Sequence, residues 1–192
     1  MRGKIVWRPV EEILHLALRT VGTKIVYHLK YPNGGTDPDD SMPCDFQTWY
    51  CDCIGFAAWA AGFDRFQPKK FPYYDGYINT DSMVTEATKQ GKWFTVLSKP
   101  EPGCFIVAAS FWRKLPYPKR VIGHIGVVVD ASEYATKGLA GLQVVHCSSS
   151  NAKRPGNKNQ SAVWKTDGTV WKNYPKVLFV KFNREYVMGL AA

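Results

Sequence analysis

Tyr50-Cys51-Asp52-Cys53-Ile54-Gly55-Phe56-Ala57-Ala58-Trp59-Ala60-Ala61-Gly62-Phe63 is the stretch around which the rest of the chain is organised. An acidic residue and a cysteine head a run of alanines and aromatics, and a glycine closes it. Asp52 is a good N-cap, because its carboxylate can accept an unpaired N–H of the first turn. Gly62 stands where a left-handed residue stops a helix. A helix beginning just after Asp52 puts Cys53 in its first turn. There the positive end of the helix dipole and the unpaired N–H groups favour a thiolate over a thiol. Such a cysteine is a nucleophile if a base lies beside it. The plainer reading is a small buried residue in an Ala-rich core helix.

The remainder of the chain bounds the possibilities. Its 192 residues, 45% hydrophobic and 21% charged, suit one domain spanning 1–192 with its own core. Aromatics reach 14%, which fits either an aromatic-lined groove or a β-rich core. The formal charge of +9 draws the protein toward anions: nucleic acid, an anionic membrane face or bacterial cell-wall polymers. No helix gathers Lys and Arg on one face, and no RNA-recognition, zinc-finger or basic-zipper pattern occurs, so nucleic acid is not an expected partner. No apolar run approaches the ~18 residues of a membrane span, so membrane insertion is not expected. The N-terminal Met1 to Pro9 segment has positive charge but no apolar stretch of a secretory leader. The expectation is synthesis in a reducing cytoplasm, with any outside target reached by another route. Five cysteines (44, 51, 53, 104 and 147) leave at least one thiol unpaired within a monomer, the favoured state. Cys44, Cys51 and Cys53 lack the paired spacing of structural zinc sites, so neither a metal nor another cofactor is expected.

Taken in order, Glu11 to Thr20 has helical spacing and acid-to-base polarity, and Gly22 marks its end. Lys24 to Leu29 is a short extended entry. Residues 32–43 form a loop dense in Pro, Gly and Asp, with no calcium-loop spacing. Residues 63–78 are an aromatic loop of the kind that lines a groove. Thr80 to Gln90 is a second helix capped by Thr80 or Asp81. Cys104 to Ala109, Val121 to Asp130, Leu142 to Cys147, Ala162 to Trp171 and Val177 to Phe182 are strands, and 111–120 is a basic loop. Helices first and strands after argue an α+β fold with an antiparallel sheet.

A thiolate needs a base, and the base needs a polar group to orient it. His124, flanked by Gly123 and Gly126, and His146 lie in consecutive strands. Adjacent antiparallel strands set the two rings side by side, with His124 as base to Cys53 and His146 as orienter. The alternative is two core histidines satisfied by carbonyl groups. His15 and His28 are weaker candidates.

Four segments in this order resemble the NlpC-like cell-wall cysteine peptidases, which are papain-like peptidoglycan hydrolases. Asp52-Cys53-x-Gly55-Phe56 is similar to their nucleophile signature. Pro102-Gly103-Cys104-Phe105 is similar to their Pro-Gly-Asp-Leu strand entry. Gly123-His124-Ile125-Gly126 and Val145-His146-Cys147-Ser148 are similar to their two histidine strands. The resemblance implies a papain-like fold and amide cleavage in peptidoglycan stem peptides through a thioester. Cys53, His124 and His146 would be catalytic, and the Cys53 N–H would belong to an oxyanion hole. Tyr31, in Tyr31-Pro32-Asn33-Gly34-Gly35, and Asp52 would bind substrate. Ile54 replaces the usual Ser, Cys104 replaces the usual Asp, and two spacings are longer than usual. A phage lysin or an injected antibacterial effector fits a basic enzyme without an export signal. The rivals are a hydrolase acting on another amide or acyl group, and a non-catalytic phage structural or binding protein on the same scaffold.

Overall fold

The computed structural model describes residues 4–29, 42, 49–67, 70–114 and 118–190. Helix α1 (Val10–Arg19) starts after Pro9 with Glu11 and Glu12 in its first turn and buries Ile13, Leu16 and Ala17. The short strands β1 (Val26–Tyr27) and β2 (Tyr50–Cys51) pair in parallel and deliver the chain to α2 (Cys53–Ala61). Helix α3 (Thr80–Lys89) precedes β3 (Phe94–Leu97), β4 (Phe105–Ala108), β5 (Phe111–Arg113), β6 (Lys119–Val121) and β7 (His124–Asp130). A single-turn helix α4 (Tyr134–Lys137), β8 (Gln143–Cys147), β9 (Val163–Asp167), β10 (Leu178–Phe182) and α5 (Arg184–Gly189) complete the described chain.

Six strands form one antiparallel sheet in the order β3-β10-β4-β7-β8-β9. This is the α+β arrangement with an antiparallel sheet that the order of elements implies. Period-two alternation separates its faces. Phe105, Val107, Ile125, Val127, Val145 and Cys147 join the core that holds α1 and α2, while Ile106, Ala108, Val128 and Val144 join a second core with Leu142 and Trp171.

Helix α2 is the centre of the first core, and all nine of its residues are buried. Its ends are held by polar groups. The Asp52 carboxylate accepts the Gly55 N–H at 2.7 Å, and the buried Arg8 guanidinium donates to the Trp59 carbonyl at the other end. Gly62 adopts φ +85°, and a Cβ there would sit 2.3 Å from the Val6 carbonyl oxygen. Gly62→Ala therefore adds left-handed strain to a backbone clash, and about 2–3 kcal/mol of stability should be lost in urea unfolding.

Three local readings change. Within the stretch read as a basic loop, β5 pairs antiparallel with β6, Trp112 opposite Arg120, because strand pairing here is carried by backbone on an exposed ribbon. The N-cap of α3 is Asn79, in a reciprocal capping box with Ser82, one residue before the expected caps. The strand expected to run to Trp171 stops at Asp167, whose carboxylate accepts the Thr169 N–H and starts a 3-10 turn, Gly168–Trp171.

Candidate active site

Cys53 is the first residue of α2, and its helix start opens onto a cavity of about 370 Å³. The loop between α2 and α3 supplies Arg65 and Tyr77 to the cavity wall. The start of α3 supplies Asn79, Thr80 and Asp81, and the base of the β5–β6 hairpin supplies Ser110, Arg120 and Gly123. The nucleophile candidate thus lies at the junction of two helix N-termini and a hairpin.

His124 and His146 come together as their strand placement requires. His124 Nε2 and His146 Nδ1 are 2.7 Å apart with their rings nearly perpendicular. His146 Nε2 lies 3.1 Å from Thr166 Oγ1, and the Thr166 hydroxyl donates to the Asp167 carbonyl. That chain of bonds orders the protons. Thr166, having given its hydrogen away, accepts from His146 Nε2–H, so His146 Nδ1 is an acceptor. His124 then donates through Nε2–H, and its Nδ1 carries the open lone pair. A base oriented by a second histidine and a threonine is the result.

Trp171 holds the pair in place, stacked on His124 at 5.0 Å and edge-on to His146 at 5.3 Å. Its indole N–H donates to the His124 carbonyl. Gly126 makes room for this cluster, since a Cβ there would approach Trp171 and His146 to 2.9 and 3.0 Å. Trp171 was legible only as a strand residue, because nothing in its neighbourhood marks it as a partner of histidines 25 to 47 positions earlier.

Cys53 is not hydrogen-bonded to either ring among the described residues. It lies nearer β7 one residue away, where the Ile125 backbone N–H favours its thiolate. Ile125 belongs to the core on the α2 face of the sheet, whereas Gly126, and with it His124, faces Trp171 on the other side. The electrostatics also depart from the helix-dipole expectation. Burial, followed by the Asp52 charge, pushes the Cys53 thiol up to about 12, against the smaller opposing pulls of Arg65 and the Ile125 N–H. Burial lowers His124 to about 4. The resting pair is a neutral thiol and a neutral imidazole. Desolvation outweighs the helix dipole because the whole first turn is enclosed.

Asp52 lines the cavity, but its acceptors are taken. Arg65 Nη1 lies 2.9 Å from both of its oxygens, and the two side chains are 3% and 2% exposed. It caps α2 and neutralises Arg65. Tyr31 and Cys44 lie outside the described residues. Tyr27 is a tyrosine that does feel the site: burial, then the charges of Cys53 and Asp52, raise its phenol and keep it protonated. His28 stacks on Tyr50.

The buried imidazoles make stability depend on acid. Below its ordinary value of 6.5 an unfolded imidazole takes up a proton that folded His124 refuses until about pH 4. Stability is therefore present above pH 6.5 and is lost as pH falls toward 4, by about 3 kcal/mol for this one group. His146 shifts in the same direction. Urea midpoints between pH 7 and 4 should fall steeply, and His124→Gln should flatten that slope.

Among the described residues no group of His, Cys, Asp or Glu side chains is arranged to hold a metal ion, and no helix is long and apolar enough to cross a membrane. Comparison with protein-family models, with curated proteins and with solved structures finds no match.

Proposed function

We propose that the protein is a cysteine hydrolase of papain-like architecture that cleaves amide bonds in bacterial peptidoglycan stem peptides, in the manner of a phage lysin or antibacterial effector. The observation that carries this reading is the ordered His124–His146–Thr166 chain, which leaves one imidazole lone pair on the strand that also contacts Cys53. A pair of core histidines does not require a proton order ending in an open Nδ1.

On this reading substrate binding turns the His124 ring, at the start of β7, from the Trp171 face toward Cys53, which lies on the sheet's other face in the resting protein. His124 Nδ1 takes the Cys53 proton while the sulfur attacks the amide carbonyl carbon. The carbonyl oxygen becomes an oxyanion beside the Cys53 backbone N–H, one of the unpaired donors at the start of α2. His124 returns the proton to the departing amine as the C–N bond breaks, leaving a thioester on Cys53. Water, deprotonated by His124, then breaks the C–S bond and frees the carboxylate product. The formal charge of +9 suits an anionic polymer as substrate.

The test is release of new amino groups from purified peptidoglycan, with fragment masses naming the bond cut. Absence of release by the wild-type protein, across peptidoglycans of different stem composition, counts against the reading. One observation favours a second reading. The enclosed, neutral Cys53 without a histidine partner suits a non-catalytic binding protein that retains the scaffold. In that case no amide substrate is cut and Cys53 alkylates as slowly as the core thiols.

A further inference from the structure

From Pro102 to Val129 the chain has no Asp or Glu, yet Arg113, Lys114, Lys119 and Arg120 fall together within that stretch. Strands β5 and β6 gather them on a two-stranded ribbon that stands apart from the six-stranded sheet. The base of the ribbon is anchored. Phe111 meets Tyr174 edge-on at 5.6 Å, the Tyr174 hydroxyl donates to the Ile122 carbonyl, and Arg120 pairs with Asp81. Its outer end is not. The antiparallel register sets Arg113 directly opposite Lys119, and Lys114 follows Arg113 along the chain. All three cations are exposed, and none has an acidic partner among the described residues. Like charges set opposite one another weaken strand pairing, and a two-stranded ribbon is marginal to begin with. On the other face Trp112 lies opposite Arg120 and is 66% exposed, more than any other large apolar side chain described. Ile122, two residues beyond Arg120, is 43% exposed. Apolar surface left bare beside polar residues marks a place where something else docks.

We infer that the β5–β6 ribbon is a docking surface for an anionic lipid bilayer, with Arg113, Lys114 and Lys119 against the headgroup phosphates and Trp112 at headgroup level. Charge complementarity carries the assignment. No described carboxylate reaches the Arg113–Lys119 pair, so an anion from outside is what relieves it. Trp112 and Ile122 decide which anion. A soluble polyanion neutralises the cations alone, whereas a bilayer sets phosphates directly above an apolar layer. An indole, apolar with a single N–H, suits that boundary. Each cation near an anionic leaflet strengthens binding roughly fivefold, and the tryptophan adds the second attraction that a peripheral protein needs. Attachment of this kind rests on the surface and uses no spanning segment. The inference is independent of the hydrolase reading, since Trp112, Arg113, Lys114 and Lys119 lie off the wall of the cavity beside Cys53.

Co-sedimentation of the full chain with lipid vesicles is the test. Vesicles of phosphatidylcholine and phosphatidylglycerol in equal parts should carry the wild-type protein down, pure phosphatidylcholine should not, and ~0.5 M salt should release it. The Arg113→Gln, Lys119→Gln double variant should bind the mixed vesicles ~10- to 30-fold more weakly while keeping the wild-type urea midpoint. Lys153→Gln with Lys158→Gln removes the same charge from exposed positions outside the ribbon and should cost no more than ~3-fold. Equal weakening by the two double variants would show that net charge alone draws the protein down, and overturns the docking surface. Phosphatidylglycerol brominated on its acyl chains should quench part of the wild-type tryptophan emission and less of that from Trp112→Phe protein. Equal quenching of the two removes Trp112 from the interface, and the proposal with it. An oligodeoxynucleotide is the soluble rival. If, at equal phosphate, it binds more tightly than the mixed vesicles and loses affinity in the Arg113→Gln, Lys119→Gln variant, the partner is a nucleic acid and the lipid assignment is overturned.

Discussion

Cys53→Ala protein is expected to leave peptidoglycan peptides uncut, with kcat at least ~10⁴-fold below wild type, the usual scale for removing a nucleophile from a set that acts as a unit. The reason is local. Among the four described cysteines, Cys53 is the one on the cavity wall, whereas Cys51, Cys104 and Cys147 are enclosed in the two cores. His124→Gln should cost a comparable factor, since Gln offers no basic nitrogen. The two losses should not multiply in the double variant, because either change alone stops the same proton transfer. Thr166→Val removes the acceptor that fixes the His146 tautomer and should reduce kcat more than it changes KM. The assay is release of amino groups from peptidoglycan. Wild-type rates in Cys53→Ala protein would remove the thioester route.

Arg65→Met is expected to destabilise the fold by about 3–5 kcal/mol at pH 7, because it leaves the enclosed Asp52 carboxylate without its cation. Asp52 also caps α2 through the Gly55 N–H, so the chain cannot turn this carboxylate toward solvent without unwinding the first turn. Asp52→Asn keeps the cap, since Asn is as good an N-cap, but strands Arg65. The double variant should cost less than the sum of the singles, and the coupling should appear in a urea double-mutant cycle. A single-variant cost below about 1 kcal/mol would show that the pair is solvated and carries no such burden.

Much of this arrangement was legible, and the residues show why. Asp52 and Gly62 bracket α2 because capping is a property of single residues at the helix ends, readable without tertiary information. The strands around His124 and His146 were readable because both faces of the sheet are covered and the runs are continuously apolar. That the two strands neighbour one another, and so join the rings, follows from their order along the chain. The Arg65–Asp52 pair was not readable, because the two residues meet only when the loop after α2 folds back across the helix start. The proton order through Thr166 has the same character, since it depends on register between β8 and β9. The β5–β6 hairpin was hidden by its composition. Lys, Arg and Pro density reads as loop, yet an exposed ribbon needs only paired backbone.

The thiolate expectation for Cys53 failed through a competition that sequence does not expose. The helix dipole acts on any first-turn thiol, but its weight depends on solvent access, and here the first turn is enclosed. A buried thiol held near 12 reacts slowly with alkylating agents at neutral pH. Its reactivity should rise when substrate binding turns the His124 ring toward it.

Iodoacetamide modification of Cys44→Ser protein, with peptide mapping and residual activity followed together, tests the nucleophile most directly. The expected result is slow labelling confined to Cys53, faster in the presence of a stem peptide, with activity lost in proportion to one label per chain. Full activity in protein labelled at Cys53 would contradict the account.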